Sequence, residues 1–207
     1  MRHLYLHGFA SGPQSRKAQA FRQAFAEHDI DLEIPPLDGG DFEHLTISGQ
    51  LRLLQDILQG DAVQLLGSSM GGYLATLYAS RHPETVRLVL LAPAFALAQR
   101  WREMKTPAEI ASWRGSGWLE VFHYGDKCAR KVHYGLLEDS ALYDFYPDFA
   151  QPALIFHGVH DQTVPVELSR TFAAQRANVT LVERDSDHEL LNVLPDVIPA
   201  AVRFLTA

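Results

Sequence analysis

The sequence has a single cysteine, Cys128, so it can form no internal disulfide and no cysteine-based zinc site. It also lacks positive charge: 18 Lys and Arg stand against 25 Asp and Glu, a formal net charge of -7. A nucleic-acid binder ordinarily shows a basic patch or stripe, and an anionic membrane surface would repel the net charge carried here. The chain is therefore read as one that binds no nucleic acid. No stretch approaches the ~20 apolar residues of a spanning helix, which excludes integral membrane association. The apolar run at Leu4-Tyr5-Leu6 is too short for the core of a secretory signal, so a cytoplasmic location is expected. Internal repeats, low-complexity tracts and linkers are missing as well, and residues 1–207 read as one domain.

Within that frame, 47% hydrophobic and 21% charged residues in a chain of 207 are enough to bury a sizeable core. Short apolar runs alternate with amphipathic segments. Strands are expected at Leu4–Leu6, Leu32–Ile34, Val63–Leu66, Val86–Leu91, Leu154–Phe156 and Val179–Val182. Helices are expected from near Ser15, over Thr46–Leu58, Gly71–Arg81 and Val166–Gln175, and from Val193 to Phe204, where Pro199 should force a turn or kink. This rhythm predicts an α/β protein in three layers, with a mostly parallel sheet of about six strands flanked by helices. The rhythm fails between Pro93 and Pro152, a segment that holds all three tryptophans: Trp101, Trp113 and Trp118. Leu119–His123 and Lys131–Tyr134 suggest a β-hairpin joined through Gly125-Asp126. The insertion, at about 95–149, is a candidate lid.

Four loops carry residue types suited to chemistry, each directly after an expected strand. Gly67-Ser68-Ser69-Met70-Gly71 fits Gly-x-Ser-x-Gly. A tight strand-to-helix turn would push the Ser69 hydroxyl above the sheet, and glycines two residues either side would leave room for the turn. A plain Ser/Gly loop is the bland alternative, but the apolar strand before it and the helix after it favour a nucleophile. In His7-Gly8-Phe9, the backbone N–H of Phe9 can pair with that of Met70 as an oxyanion hole, while His7 reads as a packed residue that orients the loop. Asp161 follows the fifth strand in a Gly-containing loop, where it is either a turn residue or an orienting acid. His188 follows the sixth strand, and no histidine comes later. The chain order Ser69, Asp161, His188 is that of a nucleophile–acid–base triad. His157 and His160 suggest a metal pair, but no further ligands accompany them, so no metal and no cofactor are expected.

These residues resemble the α/β-hydrolase fold and, more narrowly, the small bacterial esterases of the YqiA type. The opening Leu-Tyr-Leu-His-Gly-Phe-Ala-Ser-Gly-Pro-Gln-Ser-Arg-Lys-Ala is similar to the N-terminal signature of that group. The resemblance implies the fold, a catalytic triad of Ser69, Asp161 and His188, and hydrolysis of a small-molecule ester through an acyl-enzyme. The sequence departs from the full fold in that its first strand is the one leading into His7-Gly8, so a sheet lacking the usual first two strands is expected. Thioester, amide or C–C bond hydrolysis on the same triad is the nearest rival. A non-catalytic binding or signalling protein on the same fold is the rival from another class, and an intact triad speaks against it. Trp118 and Phe122 are the aromatic candidates for substrate contact.

Overall fold

The computed structural model describes residues 1–206. Five parallel strands form the main sheet in the order β1 (Arg2–Leu6), β2 (Val63–Ser68), β3 (Thr85–Leu91), β6 (Ala153–Gly158) and β7 (Val179–Arg184). The alternation of side chains along each strand divides the core in two. Leu4, Leu6, Leu65, Leu88, Leu90 and Ile155 face one layer, with helices α2 (Ile47–Leu58), α3 (Met70–Ala79) and α7 (Val166–Ala174). Tyr5, Leu66, Val89, Leu91, Leu154 and Phe156 face the other, packed on α1 (Arg16–Ala26) and α8 (Leu194–Thr206). Strands buried on both faces are continuous apolar runs for this reason.

Local signals set the helix ends. Ser15 accepts from the Ala18 N–H to cap α1, and Thr46 accepts from the Gly49 N–H to cap α2. In α1, Ala18, Phe21 and Phe25 are fully buried, each phenylalanine adding about 1.5–3 kcal/mol by leaving water. The final helix runs through Pro199 without ending. Of the turn or kink expected at Pro199, the turn is absent: the helix buries Val197, Ala201, Val202 and Leu205 against the sheet, which outweighs one lost backbone bond.

The strand expected at Leu32–Ile34 shrinks to a single bridge, Leu4 with Glu33. The Glu33 N–H donates to His3 and its carbonyl accepts from Tyr5, and there pairing stops, because Pro35 and Pro36 have no N–H to offer. The sheet thus has five strands rather than six. This bridge still matters to the site. It lies on one side of β1 and β2 on the other, so connections diverge from β1 and open a crevice at the carboxyl ends of β1 and β2.

The insertion between β3 and β6 contains α4 (Leu97–Met104), α5 (Pro107–Ser116), a hairpin of β4 (Trp118–His123) with β5 (Cys128–His133), and α6 (Gly135–Ser140). The hairpin matches the sequence expectation, one residue longer at Trp118 and starting earlier on the second strand. Its inner face buries Val132 and His123, and the Trp113 indole N–H donates to the Val132 carbonyl. Among the described residues, no helix is long and apolar enough to cross a membrane.

Candidate active site

Ser69 sits between β2 and α3 at φ 54°, ψ -119°, a region costly to any residue with a Cβ and tolerated only when the surroundings impose it. They do so here through the backbone. The Ser69 N–H donates to the Leu91 carbonyl at 2.8 Å, and its own carbonyl accepts from Tyr73 and Ala94 at 3.1 and 3.0 Å. The two glycines have separate steric reasons. A Cβ at Gly67 would overlap the Gly71 carbonyl, and one at Gly71 would overlap the Leu6 carbonyl. The elbow is thus pressed directly against the end of β1.

His188 reaches Ser69 from the loop after β7. Its Nε2 lies 3.0 Å from the Ser69 Oγ and its Nδ1 lies 2.7 Å from the Asp161 Oδ2. A carboxylate only accepts, so Nδ1 carries the proton and Nε2 is free to accept from the serine hydroxyl. Two loops must converge for this, and Gly158 permits it: a Cβ there would overlap the carbonyls of Ser186 and Asp187, two residues that lead into His188. Asp187 itself accepts from the Glu189 N–H.

Asp161 is fully engaged. Its Oδ1 accepts from the Thr163 and Val164 N–H groups, both at 2.8 Å, and its Oδ2 takes His188 and, at 3.2 Å, the Nε2 of His157. Burial alone would raise its pKa, but the hydrogen bonds from His157, His188 and Val164 outweigh it and hold the carboxyl well below the usual carboxylate range. His157 is a contributor that sequence reasoning did not find. It is wholly buried, its Nε2–H donates to the Val164 carbonyl at 2.8 Å, and its Nδ1 pairs with the Ser169 hydroxyl at 2.7 Å. His160, its suggested metal partner, is exposed and pairs with Asp185, so the two histidines serve different neighbours.

The His7-Gly8-Phe9 loop faces Ser69. A Cβ at Gly8 would lie 3.3 Å from the Ser69 Cβ and 3.9 Å from its Oγ. The His7 Nε2 accepts from the Leu37 N–H and its Nδ1–H donates to the Gly8 carbonyl, so His7 packs and orients the loop. Among the described residues, the N–H groups of Phe9 and Met70 have no hydrogen-bond partner, and Met70 opens α3, where the positive end of the helix dipole lies. The Phe9 ring sits 5.5 Å from Phe42 and 5.3 Å from Trp101 of α4. The hairpin turn anchors here too, with the Tyr124 N–H donating to the Ala10 carbonyl at 2.7 Å.

The structure brings together Ser69, Asp161, His188, Phe9 and Met70. Trp118 and Phe122 stand on the face of the hairpin opposite the buried Val132 and His123. Trp118 packs edge-on to His44 and His133, and Phe122 is 53% exposed beside Tyr124. Trp101 of the insertion packs on Phe9 of the Ser69-facing loop, and the helical spacing from Leu97 carries both residues inward.

A family model described as an uncharacterised protein family, UPF0227, matches residues 2–206. The biotin biosynthesis bifunctional protein BioHC of Teredinibacter turnerae is 34% identical over 133 residues, covering 58% of this chain. The alignment spans only 21% of that longer relative. Est1E from Butyrivibrio proteoclasticus, solved with ferulic acid bound, superposes with a TM-score of 0.82 at 21% identity, covering 99% of this chain and 87% of that one. A monoacylglycerol lipase from Paleococcus ferrophilus superposes at 0.77 and 16% identity, covering 98% and 93%. At these identities the structural likeness establishes the fold, which is that of the α/β-hydrolases.

Proposed function

This chain belongs to the UPF0227 family, and we propose that it is a serine hydrolase that cleaves small-molecule carboxylic esters through an acyl-enzyme on Ser69. The observation that carries the proposal is the continuous chain from the strained Ser69 hydroxyl through His188 to Asp161, with contacts of 3.0 and 2.7 Å. Structural neighbours that include a monoacylglycerol lipase and a ferulic acid complex support ester chemistry on this fold.

The steps follow from the geometry. The His188 Nε2 takes the Ser69 proton as Oγ adds to the ester carbonyl. The negative charge on the carbonyl oxygen falls to the N–H groups of Phe9 and Met70, each donor of this kind contributing about 2.7–4 kcal/mol in the transition state. Asp161 holds the imidazole tautomer and stabilises the imidazolium. Nε2–H then protonates the leaving alkoxide, the alcohol departs, and the acyl group stays on Oγ. Water, deprotonated by the same nitrogen, repeats the addition and releases the acid. No step calls for a cofactor.

The test is a panel of p-nitrophenyl esters from acetate to octanoate, with a thioester and an anilide alongside, run on wild type and Ser69→Ala. Ester turnover that falls by something on the order of 10⁶ in the variant is expected. Wild type without turnover, or a variant that matches it, overturns the proposal. Turnover confined to the thioester or anilide moves the substrate class to that bond.

A further inference from the structure

Beneath the strand-to-helix turn at Ser69 lies a buried amine that the mechanism above does not use. Lys17 is only 8% exposed, and its ammonium donates to the Ser68 hydroxyl at 3.1 Å. Three features make this an expensive place for a cation. Burial lowers its pKa, because a charge removed from water must be compensated. It stands in the first turn of α1, at the positive end of the helix, with no acidic residue in that turn. Among the described residues, no carboxylate lies within ion-pair distance of it.

The charges that face it at longer range come from the catalytic loops: Glu189, Asp161 and Asp187, which act against the effect of burial. From β1, the buried Tyr5 hydroxyl faces the same serine. Lys17 therefore touches the residue directly before the nucleophile by a hydrogen bond, and the acid loop and the histidine loop by charge. Ser69 needs such support. Its backbone is held where about 1–3 kcal/mol of strain would relax if the neighbours yielded.

We propose that Lys17 is a positioning residue: hydrogen-bonded to Ser68, it clamps the strained turn so that the Ser69 hydroxyl stays aligned with His188. The proposal rests on Ser69 being the nucleophile. It differs from a role in stability alone because it predicts a fault in the chemical step of molecules that are folded.

The experiment measures the rate of fluorophosphonate reaction at Ser69, with kcat per titrated site and KM, for wild type, Lys17→Met, Ser68→Ala and the double variant. Methionine replaces the apolar stem of lysine, ending about where its Cε lies, and has no charge and no donor. Misplacement of a reacting atom by about 1 Å costs on the order of 10²-fold in rate. Lys17→Met should therefore lose ~10- to 100-fold in labelling rate and kcat, with KM held within about twofold. Ser68→Ala should fall in the same direction, and the double variant should be no slower than Lys17→Met, since both changes break one contact. Lys17→Met that labels at the wild-type rate per folded molecule overturns the proposal, whatever its melting temperature. So do losses that multiply in the double variant. If Lys17→Met does not fold, Ser68→Ala decides alone, and a wild-type labelling rate there overturns the clamp. Wild type that does not label removes the hydrolase reading itself, and the clamp with it, whereas wild type that labels beside unimpaired variants removes only the clamp.

Discussion

Asp161→Asn is the change whose consequences can be worked out most fully. The carboxylate accepts two backbone N–H groups on Oδ1 and the His188 Nδ1–H on Oδ2, with the His157 Nε2–H, donated to the Val164 carbonyl, 3.2 Å from Oδ2. An asparagine has one accepting oxygen and one donating NH₂ group, and the flip that keeps both backbone N–H groups on the oxygen turns the NH₂ toward His188. Hydrogen bonds to a charged group contribute about 1.5–3 kcal/mol each, so the variant should lose about 1.5–3 kcal/mol of stability. For a chain of this size that lowers Tm by roughly 3–12 °C. The acid dependence of stability should change as well. The carboxyl is held below its ordinary pKa in the folded state. Its contribution is therefore complete above the ordinary carboxylate range and is lost as pH falls through the lowered folded value. The variant should lack this part of the acid limb. With the amide nitrogen facing His188, the imidazole turns to its other tautomer and kcat should fall by roughly 10⁴. The assay is thermal unfolding from pH 3 to 7 (~4 units) beside ester turnover at neutral pH. A variant within about tenfold of wild type, or the same loss in Asp187→Asn instead, refutes Asp161 as the orienting acid.

Gly158→Ala places a Cβ against the Ser186 and Asp187 carbonyls. It should displace the His188 loop, lowering kcat per titrated site on the order of 10²-fold and stability by about 1–3 kcal/mol, read by active-site titration and thermal melts. Trp101→Ala removes the ring that packs on Phe9 and should shift kcat/KM ratios among short and long esters by ~1–3 kcal/mol. Trp118→Ala and Phe122→Ala, on the hairpin face opposite Val132 and His123, should leave those ratios unchanged, and a shifted ratio in either would return them to the substrate site.

The catalytic candidates were legible because each is written in a local motif at the carboxyl end of a strand. Gly67 and Gly71 flank Ser69 in sequence as they do in space, and His7-Gly8-Phe9 follows directly on β1. The helix starts were equally local, Ser15 and Thr46 standing where their hydroxyls meet free N–H groups. What escaped is non-local. His157 reads in sequence as half of a metal pair with His160, and only the packing of α7 and the Asp161 loop gives its ring two partners and a carboxylate. Lys17 has no local signal of its own; its burial against Ser68 comes only from the packing of α1 beneath the Ser69 turn. At Leu32–Ile34 the apolar pattern was genuine, but the prolines that follow end the ladder after one bridge. Within the insertion, Thr106-Pro107 with Glu109 forms a full capping box, a local helix signal that aromatic content obscured.

Whether Ser69 is a competent covalent nucleophile is tested, without knowledge of the substrate, by mapping a fluorophosphonate adduct. The folded wild-type protein is labelled, digested and sequenced by mass spectrometry, with Ser69→Ala and His188→Ala treated in parallel. A single adduct is expected on the peptide containing Gly67-Ser68-Ser69-Met70-Gly71, assigned to Ser69 by fragmentation, with no adduct in Ser69→Ala and strongly slowed labelling in His188→Ala. An adduct on Ser68, labelling that persists in Ser69→Ala, or no adduct on the folded wild type would contradict Ser69 as the nucleophile.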